Sequence, residues 1–180
     1  MKYISILRGI NVSGQKKVLM ADLKQLYHSL GFEDVTTYIQ SGNVIFQSSG
    51  IDKNDIKDTI EQAITAKYGF HVPVIIRTEQ ELIEVFDNCP YKEAKIETNG
   101  TKIFVTFLQS EPSRENKETL QQYVKAPEKL TIHGSEVYLY CPNGYGKSKL
   151  SNTSLENKLA VSATTRNWKS IIKLCELSGR

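Results

Sequence analysis

A chain of 180 residues with 39% hydrophobic and 24% charged residues can bury a core without disulfide or metal staples, and its composition excludes the disordered and fibrous classes. No apolar run approaches the roughly 18 residues of a membrane span. The formal net charge of +3 hides an uneven distribution: residues 1–20 hold Lys2, Arg8, Lys16 and Lys17 and no acid, residues 143–180 hold seven basic residues and two acids, and the segment between them is net acidic. Such a pattern suits either one polarised surface or charges spread over solvated faces, and both readings stand.

Tyr3 to Leu7 reads as a first strand ended at Arg8-Gly9. After the loop Asn11–Lys17, Leu19, Leu23, Leu26, Tyr27 and Leu30 recur at three- and four-residue steps. That spacing predicts an amphipathic helix, with Gly31 where a C-terminal cap belongs. Val35–Gln40 and Val44–Phe46 are rich in β-branched and aromatic residues and flank Ser41-Gly42-Asn43, which predicts a hairpin. Asp52 suits the N-cap of a helix carrying Ile56, Ile60, Ala63 and Ile64 on one face. Val72–Arg77 follows as a strand, with Pro73 confined to its start or to a sheet edge because it lacks an N–H. The order β-α-β-β-α-β is the split βαβ plait, with two helices on one face of a four-stranded antiparallel sheet.

Glu79–Asn88 reads as a short acidic helix ended by Pro90, and Lys95–Gly100 as a polar loop. Lys102–Gln109 predicts a strand, and Ser113–Val124 a helix capped by Ser113. Glu128–His133 and Val137–Cys141 predict a second hairpin turning at Gly134-Ser135. Helices are expected over Lys149–Leu159 and Thr165–Leu177, so the second half reads as a plait whose last strand is missing or replaced. The expected fold class is α+β: two ferredoxin-like split βαβ subdomains packed together, residues 1–78 and 79–180, with mostly antiparallel sheets.

The apolar start is too short for the core of a signal peptide, so a reducing, cytoplasmic location is expected. Cys89, Cys141 and Cys175, odd in number and widely spaced, then suit buried free thiols. His28, His71 and His133 pair with no Cys, Asp or Glu at metal-ligand spacing. No nucleophile motif of the Gly-x-Ser-x-Gly kind is present.

Two loops could meet an anion. In Leu7–Gly14, the glycines permit close backbone approach, and Arg8, Lys16 and Lys17 supply charge. Pro142–Lys149 lies between a strand and a helix, the context of a phosphate loop, but a P-loop would have Gly where this chain has Cys141. What survives is an anion held by loop N–H groups with Lys147 or Lys149. A flexible polar loop with solvated lysines accounts for the first segment more readily than an anion site does, and a plain Gly-rich strand-to-helix connection is the alternative for the second. Arg166, expected at a helix start, opposes the macrodipole there and needs an acid or a ligand beside it.

The segments Arg8–Val12, Tyr38–Val44, Gly146–Leu150 and Thr164–Trp168 together resemble the bacterial family labelled domain of unknown function 1697, over essentially the whole chain. The resemblance implies two ferredoxin-like subdomains and brings no established activity, substrate or catalytic residue.

The leading functional expectation is a binding module for a small anionic ligand, a nucleotide or a phosphorylated metabolite. Its first loops would contribute Arg8, Asn11, Lys16, Lys17 and Asn43; its later segments, Lys147, Lys149, Arg166 and Asn167. The two loops are expected to converge. An enzyme using the same pocket would need a base or nucleophile that the sequence does not nominate, and no cofactor is indicated. A scaffold with an open sheet face is an alternative. Nucleic-acid binding is another, although Asn43–Gln47 lacks the Gly- and aromatic-rich signature of RNA-recognition strands.

Overall fold

The structure, a computed structural model of the chain, describes residues 1–50, 52–97 and 99–179. The chain forms two compact units, Met1–Ile83 joined by the end of the chain from Leu174, and Glu84–Lys173.

The first unit contains β1 (Lys2–Leu7), α1 (Met20–Ser29), β2 (Glu33–Tyr38), β3 (Asn43–Gln47), α2 (Lys53–Tyr68) and β4 (Val74–Thr78). The sheet order is β2-β3-β1-β4, with every neighbouring pair antiparallel. Period-two alternation along the strands sends Tyr3, Leu7, Val35, Val44, Phe46, Val74 and Ile76 into one core with Leu23, Leu26 and Tyr27 of α1 and Ile56, Ile60 and Ile64 of α2. Full burial of each such aliphatic side chain contributes about 1.5–3 kcal/mol. Leu30 is only partly buried against this core. Leu19, placed by its spacing on the helical stripe, is instead 69% exposed, because its backbone is extended (ψ 133°) and the helix begins after it. On the opposite face of the sheet, Ile4, Ile6, Ile45 and Ile75 are buried as well.

Local chemistry fixes the ends of these elements. The Asp52 side chain accepts from Asn54 N–H and caps α2, which stops at Gly69 in the left-handed region, φ 76°. The predicted hairpin is present: β2 and β3 pair directly, joined by residues 39–42. Pro73 lies immediately before β4, where its missing N–H costs no ladder bond.

The chain continues through α3 (Glu79–Asp87), α4 (Lys92–Glu97), β5 (Ile103–Leu108), α5 (Arg114–Gln121), β6 (Lys129–His133), β7 (Glu136–Tyr140), α6 (Asn152–Leu159), β8 (Ala163–Asn167) and α7 (Trp168–Ser178). The second sheet, β6-β7-β5-β8, repeats the order of the first. Three expectations are corrected. The plait is complete: Ala163–Asn167 is its fourth strand, paired antiparallel with β5 over five positions, rather than the start of a helix. The stretch Lys95–Gly100, expected as a loop, begins inside α4 (Lys92–Glu97), whose Lys, Glu and Ala residues are good helix formers, and Asn99–Gly100 is turn. The helix expected from Lys149 starts at Asn152, because Ser151 is its cap and accepts from Ser154 N–H.

The repeat also extends to individual residues. Arg77 and Arg166 hold the penultimate positions of β4 and β8, each 7% exposed. Each donates from Nη1 to the carbonyl of the residue before it, Ile76 at 3.0 Å and Thr165 at 2.9 Å. The next residue in each case caps the following helix. Thr78 Oγ1 accepts from Glu81 N–H, and Asn167 Oδ1 accepts from Ser170 N–H.

Candidate functional site

In the first unit, the loop after β1 is held by one side chain. Asn11, at φ 56°, donates from Nδ2 to the Val18 and Gln40 carbonyls and accepts at Oδ1 from Val18 N–H, all at 2.9 Å. Its amide is fully engaged inside the protein. The same loop is closed by Asn11 N–H to Lys16 O at 3.1 Å and Gln15 N–H to Val12 O at 2.9 Å. Lys16 Nζ donates to the His71 carbonyl at 2.7 Å, and Lys17 is exposed. Arg8 is half-buried, and its N–H donates to Pro73 O. Asn43 is buried, with Nδ2 donating to Tyr38 O and Ser41 Oγ. Gly42, at φ 81°, lies so close to β1 that a Cβ there would be 2.8 Å from Leu7 Cβ and 2.6 Å from Ile10 Cδ1. The segments Arg8–Val12 and Tyr38–Val44 are therefore two halves of one brace.

In the second unit, the loop that carries the other candidate residues runs from β7 to α6. Four of its N–H groups are engaged within it: Gly144 N–H to Cys141 O, Lys147 N–H to Gly144 O, Ser148 N–H to Tyr145 O, and Leu150 N–H to Ser148 Oγ. The loop is anchored by Tyr145, whose ring stacks on Phe104 at 4.8 Å and whose hydroxyl donates to Thr165 Oγ1 at 3.3 Å. Thr165 in turn donates to Asn152 Oδ1 at 3.0 Å, and Asn152 Nδ2 donates to Ala163 O at 2.9 Å. The Gly146–Leu150 and Thr164–Trp168 segments thus also lie on connected scaffolding.

Lys147 and Lys149 line one cleft of about 470 Å³ with Lys125, Asn143, Glu128, Pro127 and Tyr123. Arg166 and Asn167 are placed elsewhere. Thr165 lies on the side of β8 that meets Asn152 of α6, and Arg166, one residue on, lies on the other. Burial lowers the Arg166 guanidinium to about 10, so it stays protonated at neutral pH. Arg166 sits in β8, one residue before the cap of α7, rather than inside the helix start. Asn167 is a helix cap.

Sequence reasoning missed Lys125, Asn143, Glu128 and Tyr123. The available signal was the second hairpin: its register sets Lys129 opposite Tyr140, so the residues just before β6 must lie beside those just after β7. Cys141, at the foot of this loop, is buried, and burial with the nearby Glu128 carboxylate pushes its thiol up to about 11, which disfavours the thiolate. Among the described residues, no group of three His, Cys, Asp or Glu side chains could hold a metal ion. No helix among them is long and apolar enough to cross a membrane.

Two antiparallel plaits of identical strand order, each with a braced loop, define an α+β protein with an internal structural repeat. The chain belongs to the family described as Protein of unknown function (DUF1697), whose sequence profile matches residues 1–138. That stretch includes both braced segments of the first unit and ends before the β7–α6 loop. A solved structure, described as that of conserved bacterial protein SP0830 from Streptococcus pneumoniae, superposes with a TM-score of 0.77 over 98% of each chain at 24% identity. At that identity the likeness is one of fold. Among curated proteins, none matches the chain in sequence.

Proposed function

We propose that the protein binds a small phosphorylated anion in the cleft of its second unit. The observation that supports this reading is the gathering of Lys125, Lys147 and Lys149, with the Asn143 amide, around one cleft of about 470 Å³. Three ammonium groups around one cleft repel one another, and a phosphate offsets that repulsion while accepting their hydrogen bonds. Lys147 and Lys149 serve as ligand contacts in this reading. Asn11, Asn43 and Asn167 serve the scaffold, since their amides are engaged in bracing and capping. The scaffold reading, which needs an open sheet face, has less support: Ile4, Ile6, Ile45 and Ile75 of the first sheet and Val105, Phe107 and Tyr138 of the second are all buried.

The test is a thermal-shift titration with pyrophosphate. A ligand that binds only the native state, at a hundred times its Kd, stabilises it by about 2.7 kcal/mol. The rise in Tm should disappear in Lys149→Glu, with the unliganded Tm nearly unchanged because Lys149 is exposed. A Tm that does not respond to pyrophosphate, or a response that Lys149→Glu retains, contradicts the proposal.

A further inference from the structure

Resting on that reading, we infer that the ligand of the second-unit cleft is a nucleotide, its base lying on the Tyr123 ring and its phosphates on Lys125, Lys147 and Lys149. Inorganic phosphate needs only the lysines, yet the cleft is larger and more varied than that. At about 470 Å³ it falls within the range of sites that enclose whole small molecules. Tyr123 lines it and is 51% exposed, although it follows a helix whose Leu120 is fully buried. A large aromatic ring left half in water beside three cations offers a flat apolar surface on which a nucleobase can stack.

The ring is also held in place. Lys158 Nζ, which is not among the residues lining the cleft, lies 3.2 Å from its centroid; this cation–π contact covers one ring face, limits the ring's rotation and leaves the other face for a base. The Tyr123 N–H donates to Leu120 O at 3.0 Å, which fixes the backbone of the last turn. A ring already fixed loses little freedom when a base stacks on it. Glu128 is the acid on the cleft wall. A carboxylate beside a phosphate site repels the phosphate itself, so its place suits the part of the ligand that carries donors. The hydroxyls of a ribose or the amino group of a base are such donors.

The experiment compares ADP, ribose 5-phosphate and pyrophosphate by isothermal titration of the full chain, with Tyr123→Ala and Tyr123→Phe variants. ADP should bind about tenfold tighter than pyrophosphate and ribose 5-phosphate, the gain expected from stacking one base. Tyr123→Ala should bring ADP down to the affinity of pyrophosphate, and Tyr123→Phe, which keeps the ring, should restore the advantage. If pyrophosphate binds and ADP binds no tighter, the anion site stands and the nucleotide inference falls. If ADP keeps its advantage in Tyr123→Ala, the assignment of the base to this ring is overturned. If none of the three binds, the anion reading falls with it.

Discussion

Gly42 and Gly31 have nearly the same backbone, φ 81° and 82°, in different surroundings. Replacing either by Ala places a Cβ in the left-handed region, at a cost of about 1–2 kcal/mol. At Gly31 nothing lies within 4 Å of the added atom, so the cost ends there. At Gly42 the same atom would come 2.6 Å from Ile10 Cδ1 and 2.8 Å from Leu7 Cβ. The Ile10 methyl can rotate away, but Leu7 Cβ is fixed by the β1 backbone, and Ile10 is itself 1% exposed with little room to move. Relief requires the hairpin to move off β1, which breaks the 2.8 Å bond from Leu7 N–H to Gly42 O. Overpacking of this kind adds about 1–3 kcal/mol. Gly42→Ala should therefore destabilise the protein by about 2–5 kcal/mol, and Gly31→Ala by about 1–2 kcal/mol. Urea denaturation followed by circular dichroism measures both. Equal losses at the two positions would refute the close packing of the hairpin on β1.

Ile60, with no exposed surface in the first core, should cost about 2–5 kcal/mol when cut to Ala; an unchanged denaturation midpoint would mean that α2 presents another face. Burial raises the Glu81 carboxyl, but the hydrogen bonds it accepts from Lys53 and Thr78 N–H, with the charges of Lys53 and Arg77, outweigh this and hold its pKa below the usual value. A depressed folded pKa stabilises above the unfolded pKa, and that stability is lost as pH falls through the folded value. The advantage of the wild type over Glu81→Gln should therefore be larger at pH 7 than at pH 3, and an advantage independent of pH would count against the pairing. Cys89, Cys141 and Cys175 are free and buried, so iodoacetamide at neutral pH should label the native chain slowly and the unreduced, denatured chain at all three thiols. Fewer than three labels in the denatured chain would indicate a bridge.

The first plait was legible because its apolar residues keep clean periods. Leu23, Leu26, Ile56, Ile60 and Ile64 mark two helices, and the β-branched runs mark the strands around a glycine turn. β8 was not legible, because Ala163-Thr-Thr-Arg-Asn167 has no apolar alternation, and pairing with β5 is what makes it a strand. The same five residues misplaced Arg166 at a helix start. The engagement of Asn11 with Gln40 spans 29 positions, a contact that no local pattern encodes. Lys125 stands alone in a loop with no local pattern around it, and only the β6–β7 register carries it to Lys147 and Lys149.

A phosphorylated anion held by the second unit at Lys125, Lys147 and Lys149 would perturb the backbone amides around it. Amide chemical shifts of the isotope-labelled chain, followed through a pyrophosphate titration, test such binding most directly. Binding there should give saturable shifts confined to residues 123–128 and 142–150. Shifts that do not saturate, or that fall outside those two segments, would contradict it.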